Sequence, residues 1–399
     1  MKILLLNDYG AATGGAEYQI LALREGLRSR GHDARLFAST ALYSPGKPMA
    51  DYYCHGSVSW SQSLLMVANC SAFRRLRRVL AAFRPDVIHI SMFSWQLSPL
   101  ILPLIRRFPC VYHVQMYNAV CPLGTKMTPD GNLCSQTSGL ACLRSRCLTP
   151  QSWILRMVQK GLWKHWRNSI DSLVAVSEAV RLRLTNEGFS VQKVVWNGVP
   201  LVPAPRVLSA APTAVFAGRL VPEKGVDILL HAFALVRRKI PSAKLWIAGD
   251  GNERPRLERL IDELSLRDSV SMLGFLARDE MERKFSQTWV QVVPGRWEEP
   301  FGMVIAEAMM RGSAVVASSL GGALDLVEHQ ITGLLVPPGD VAALSDALTS
   351  ILSEPGAART MGQAGRARAL RDLTEEASVD RFVALYEGLL KHSLVAEAE

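Results

Sequence analysis

Glu299 and Glu307 lie eight residues apart in RWEEPFGMVIAEAM, with Gly302 between them. The apolar run WVQVVP precedes this stretch, and MVIAEAM continues it at helical spacing. Glu299 therefore falls in a turn and Glu307 inside a helix. Gly302 lets a ligand come close to the backbone, and the first N–H groups of that helix, at Met303 and Val304, suit a phosphate. A carboxylate between Ala306 and Ala308 has room to accept two hydroxyls of a ribose. The same pair also fits an ordinary surface, with Glu299 as an acid favourable to the helix dipole and Glu307 solvated. A second cluster is GRLVPEKG, Gly218 to Gly225, which follows a buried run and opens a helix. Arg219, Lys224 and the free N–H groups of that helix would suit an anion carrying two adjacent charges. The segment is neither a P-loop nor a GxGxxG turn, and both cations read equally well as facing water.

Positioning such loops requires strands that end beside them. KILLLND, a glycine-rich turn, a helical stretch with Ile20, Leu21, Leu23 and Leu27, and then ARLFAS form a β-turn-α-β unit of doubly wound type. DVIHI, CVYHV and SLVAVS continue the rhythm. It restarts at Thr213 with TAVFAGRL, a helix over Val226 to Lys239, KLWIAGD, a helix near Arg254 to Leu264, VSMLGF, WVQVVP, a helix over Met303 to Arg311, and SAVVAS. The spacing predicts two α/β domains, 1–203 and 204–376, with VPLVPAPRVLSAAP as the linker. A last helix spans Ala377 to Leu390.

The 399-residue chain has the composition of a globular protein, 49% hydrophobic and 20% charged. Its start is a short buried strand and not a secretory signal. The greasiest stretch, Val87 to Ile105, is broken by His89, Gln96, Pro99 and Pro103 and falls short of the roughly 20 apolar residues of a membrane span. A cytoplasmic location is the expectation. Charge is uneven: 23 basic against 10 acidic residues over 1–200, and 22 against 26 over 201–399. The first half thus calls for a polyanionic partner. Anionic lipid is preferred to nucleic acid, because no base-reading motif is present.

The E-x7-E of Glu299 and Glu307, AGRLVPEKG, WIAGDG, NGV at Asn197, VAVSE at Val174, GGAE at Gly14 and GGALDLVEHQITGLLVPPGD together resemble the retaining, GT-B fold glycosyltransferases of group 1, family GT4, along nearly the whole chain. The resemblance implies two facing Rossmann-like domains with a deep cleft, the C-terminal helix from about 377 to 399 rejoining the first domain. It further implies a UDP- or GDP-sugar donor and a glycan or polyprenyl-diphosphate-linked acceptor of surface polysaccharide synthesis. Arg219 and Lys224 would clamp the diphosphate, Glu307 the ribose, and Glu299 the donor sugar. Gly14 and Gly15 would lie against the phosphates, and His113 would contact the transferring sugar. Arg219, Lys224 and a helix N-terminus can stabilise the leaving diphosphate without a catalytic metal. Two departures stand out: Pro255 arrives late after WIAGDG, and Asp325 stands where relatives usually carry glutamate. A soluble transferase acting on a small molecule and a non-catalytic scaffold of the same fold are the alternatives.

Four of the seven cysteines, Cys121, Cys134, Cys142 and Cys147, cluster in a turn-rich stretch. A structural zinc held by four thiolates would close it, although the spacing is not a standard knuckle, and solvent-facing or loosely packed thiols also fit. In PQSWILRMVQKGLWKHWRNSI, Arg156, Lys160, Lys164 and Arg167 form a cationic stripe opposite Ile154, Met157, Val158 and Leu162. SAFRRLRRVLAAFR adds five arginines. Both predict helices with wet basic faces, suited to anionic headgroups at the inner face of a membrane or simply to covering a sheet.

Overall fold

The computed structural model describes residues 1–12, 14–42, 49–203 and 208–396, the side chains of 392–396 excepted. The boundary expected between 203 and 204 and the last residues of the expected C-terminal segment, 397–399, touch positions outside the described residues. Two compact units emerge, one of 1–129, 134–198 and 375–399, the other of 130–133 and 199–374.

The first unit holds a seven-stranded sheet in the order β3-β2-β1-β4-β5-β6-β7. Its strands are β1 (Lys2–Tyr9), β2 (Asp33–Ser39), β3 (Tyr52–Cys54), β4 (Val87–Ile90), β5 (Cys110–Val114), β6 (Ser172–Ala175) and β7 (Lys193–Val194). All pairings are parallel. A parallel sheet is covered on both faces, which is why β4, β5 and β6 are buried at every residue and read as mainly apolar runs interrupted by His89, His113 and Ser172. The helix Glu375–Ala396 closes this core: Val379, Phe382, Leu385 and Tyr386 join Ile3, Leu5, Ile20 and Leu23, and the Tyr386 hydroxyl lies 2.7 Å from His89 Nδ1.

The second unit repeats the plan with six parallel strands in the order β10-β9-β8-β11-β12-β13. They are β8 (Thr213–Ala217), β9 (Lys244–Ala248), β10 (Val270–Gly274), β11 (Val290–Val293), β12 (Ala314–Ser318) and β13 (Leu334–Val336). The predicted helices Val226–Lys239 and Met303–Arg311 form with those bounds. In each sheet the strand order reverses once, between β1 and β4 and between β8 and β11. Connections leave such a point in opposite directions and open a crevice at the carboxyl ends of the strands, where doubly wound sheets take ligands.

Candidate functional site

GRLVPEKG follows β8 and RWEEPFG follows β11, so both predicted segments stand at the reversal point of the second sheet. Arg296 ties them together. Its backbone N–H donates to the Glu223 carbonyl at 2.8 Å, and its guanidinium grips Asp227 through two bonds of 2.8 and 2.9 Å and donates to the Pro222 carbonyl. That clamp sets Lys224 against Glu299, with 2.5 Å between Nζ and Oε1 and the ammonium 5.5 Å from the centre of the Trp297 ring. Arg219 stands apart: its side chain is 71% exposed, and Glu223 is the nearest acid, at 3.9 Å.

Two glycines let the neighbouring loops close on this mouth. Gly249, at a φ of +139°, packs where any Cβ would overlap the Gly218 carbonyl, which holds the loop after β9 under the loop after β8. Gly322 lies against the Phe301 carbonyl in the same way and donates its N–H to the Glu299 carbonyl at 2.8 Å, so the loop after β12 supports the turn that carries Glu299. Gly302 then caps the helix Met303–Arg311 in the left-handed region. Glu307 is largely buried on that helix and pairs with Arg278 at 2.9 Å; burial raises its pKa against the lowering pull of Arg278 and Arg311. Arg278, Arg296 and Trp297 escaped the sequence reading, because nothing in their local spacing marks them as partners of Lys224 and Glu307.

At the reversal point of the first sheet, Asp8, the penultimate residue of β1, accepts the N–H groups of Trp95, Gln96 and Leu97 beyond β4, at 2.7 to 2.9 Å. Complete burial nevertheless pushes its carboxyl up to about 6. Gly14 is the cap of the helix Gly15–Ser29 in extended conformation. The buried Glu17 turns back on this start and accepts from the Gly14 and Glu17 N–H groups, an internal anion where a phosphate was expected; burial still raises its pKa overall.

His113 departs from its expected role as a sugar contact. It is 2% exposed and packs against Phe382 of the C-terminal helix, with Nε2 donating to the Val195 carbonyl at 3.1 Å and Nδ1 accepting from Gln115 at 2.9 Å. Burial lowers its pKa to about 4, so the ring is neutral with both nitrogens engaged. Gln115, just past β5, exchanges two hydrogen bonds with Asn197 and is the residue of this group nearest the strand end.

The helix Pro150–Trp166 is also turned over relative to its predicted face. Arg156, Gln159 and Trp163 are buried, whereas Ile154 and Val158 are 56% and 48% exposed. Gln159 donates to the carbonyls of Met66 and Ser94, Trp163 packs on Phe93, Tyr112 and Phe189, and the Arg156 guanidinium lies 4.4 Å from the Trp95 ring centre. Only Lys164 and Arg167 of the expected stripe face outward.

The zinc expectation is likewise corrected. Among the described residues no three His, Cys, Asp or Glu side chains are placed to hold a metal. The Cys134 and Cys147 thiols approach the carbonyls of Gln136 and Ser145, each at 3.9 Å. Other groups hold the stretch. Lys126 donates to the Gln136 carbonyl and pairs with Glu187, Lys160 donates to the Ser138 carbonyl, and the Trp153 indole donates to the Gly139 carbonyl.

Sequence comparison matches residues 206–368 to the family described as glycosyl transferases group 1 and residues 13–202 to glycosyltransferase family 4. The alpha-D-kanosaminyltransferase of Streptomyces kanamyceticus is 36% identical over 148 residues, 37% of this chain and 38% of that one. The chain spans well under half the length of the curated relatives it matches first. Among solved structures, sucrose-phosphate synthase from Thermosynechococcus elongatus superposes with a TM-score of 0.72 at 23% identity, covering 98% of this chain and 99% of that one. Anabaena HepE in complex with UDP and glucose gives 0.68 at 20%, covering 97% and 99%. Both share the fold, two Rossmann-like units of GT-B type.

Proposed function

This chain belongs to the group 1, family 4 glycosyltransferases, and on that premise we propose that it is a retaining glycosyltransferase that takes a UDP- or GDP-linked sugar as donor. The observation that supports this reading most is the Lys224–Glu299 pair at the reversal point of the second sheet, beside the start of the helix Met303–Arg311. Breaking an anomeric C–O bond leaves a diphosphate whose negative charge grows toward the transition state, and preorganised donors aimed at that charge are the dominant catalytic means in such sites. Lys224 and the first N–H groups after Gly302 have that role, and the exposed Arg219 is free to swing onto the phosphates. Glu299 holds Lys224 in place until the donor arrives and then accepts sugar hydroxyls; Glu307, steadied by Arg278, accepts the ribose hydroxyls. Gly14 and Gly15 remain assigned to the phosphates, which would displace the Glu17 carboxylate from its N–H partner.

We assign the acceptor to a glycan or lipid-linked intermediate of surface polysaccharide synthesis. The support is the basic excess of the first unit, where the helix Cys70–Phe83 turns Arg74, Arg75, Arg77 and Arg78 to solvent. No helix among the described residues is long and apolar enough to cross a membrane; the attachment to the inner membrane face that this reading assigns is peripheral.

A thermal-shift screen of UDP-, GDP- and ADP-sugars tests the donor assignment. One nucleotide class should raise the melting point by mass action, by the equivalent of about 2.7 kcal/mol at a hundredfold excess over Kd. Lys224→Ala should abolish most of that shift and lower transfer by orders of magnitude with the apo melting point little changed. An unshifted wild type, or a variant with full turnover, overturns the assignment.

A further inference from the structure

The inward turn of the helix Pro150–Trp166 builds a feature that the donor site does not use. A hollow of about 30 Å³ in the first unit is lined by Arg156, Lys160 and Trp163 from this helix, by Phe93 beyond β4, and by Asn118 and Ser138 from the stretch beyond β5. It therefore opens at the carboxyl end of the first sheet, the end where doubly wound sheets receive ligands.

Its chemistry is one-sided. Arg156 is 8% exposed, and no carboxylate among the described residues forms an ion pair with it; its one hydrogen bond is a long one, 3.3 Å, to Gln159 Oε1. Lys160 gives its ammonium to the carbonyl and hydroxyl of Ser138 and likewise has no carboxylate partner. Burial lowers the pKa of both. Asp8 acts on Arg156 only at a distance, its oxygens being taken by the three amides beyond β4. The Trp163 indole N–H is buried and finds no hydrogen-bond partner among the described residues. Arg156 is a buried cation with no paired carboxylate, Lys160 is half-buried with Glu187 acting on it only at a distance, and the orphaned indole donor is costly in its own right. Together they make a wall of donors with no anion to receive them, beside the aromatic faces of Phe93 and Trp163.

We propose that the hollow between Arg156, Lys160 and Trp163 binds an oxyanion group, phosphate or carboxylate, carried by the acceptor sugar. The proposal rests on the glycosyltransferase reading and narrows its acceptor to a phosphorylated or acidic saccharide. Three donors on one helix face meet the oxygens of such a group.

The test titrates the full chain with glucose 1-phosphate, glucuronate and glucose at constant ionic strength and saturating UDP, followed by calorimetry and tryptophan fluorescence. Glucose 1-phosphate or glucuronate should bind saturably and glucose should not; which of the two binds more tightly assigns the group as phosphoryl or carboxylate. Arg156→Gln and Lys160→Gln should each raise Kd about tenfold or more, the scale of a lost charged hydrogen bond. Trp163→Phe, which keeps the ring and removes the N–H, should weaken binding by a smaller factor. UDP affinity should stay unchanged in all three. If Arg156→Gln does not fold, Lys160→Gln decides, because its half-buried side chain can be replaced without opening the core. Wild-type binding that is absent, or equal in Lys160→Gln, overturns the proposal. Loss of UDP- and GDP-sugar binding with oxyanion binding retained would instead remove the donor reading and leave the hollow standing.

Discussion

Two helices of the first unit look alike as sequence and fold in opposite senses. Cys70–Phe83 buries Ala72, Leu76, Leu80 and Phe83 and exposes its arginines, as its periodicity demands. Pro150–Trp166 has a comparable basic and apolar pattern, yet it buries Arg156, Gln159 and Trp163 and leaves Ile154 and Val158 in solvent. Every buried side chain of the first helix is apolar, so hydrophobic burial chooses its face. The second meets carbonyls at Met66 and Ser94, a Trp95 ring and an aromatic cluster, and these take its long polar side chains inward. Amphipathic pattern therefore selects a face only where the facing surface is apolar.

The largest effect that sharpens this contrast is Trp163→Ala. Removing a buried ring between Phe93, Tyr112 and Phe189 should cost about 3 to 5 kcal/mol, read as a drop in the denaturant midpoint; a loss under 1 kcal/mol would mean that the helix does not face inward through Trp163. Next comes acid sensitivity near β5. His113 is held at about 4 by burial against an ordinary value of 6.5, so the unfolded chain takes up a proton first as pH falls. Its contribution is complete above about pH 6.5 and is lost toward pH 4, about 3 kcal/mol in all. Melting points across that range should fall steeply in the wild type and less steeply in His113→Gln; an unchanged slope would place the titration elsewhere. The smallest effect is expected at the exposed apolar positions. Ile154→Ser and Val158→Ser should move stability by no more than about 0.5 kcal/mol, and a loss above 1 kcal/mol would restore the face predicted from periodicity.

The second unit was the more legible of the two. Strand runs, both helix ends at Val226–Lys239 and Met303–Arg311, and the two loops that carry Lys224 and Glu299 follow from local pattern, because a parallel sheet buries whole strands and a glycine is required where backbones nearly touch, as at Gly249 and Gly322. Partners were not legible. Lys224 and Glu299 are 75 positions apart and Arg278 and Glu307 are 29 apart, and no local signal pairs a given cation with a given acid. His113 shows the same limit, since a histidine near a strand end can face the crevice or, as here, a covering helix at Phe382. The cysteines show it once more, in that turn-rich spacing suggested a metal where lysine and tryptophan donors do the closing.

Fold class, the repeat of the doubly wound plan and the placement of loops at strand ends were thus written in runs, periods and glycines, which act over a few residues through burial and backbone sterics. Whether a given side chain is ligand-facing, paired or buried depends on groups brought in from distant segments. Only folding sets those groups side by side, and the cost of leaving a polar atom unsatisfied there decides the outcome.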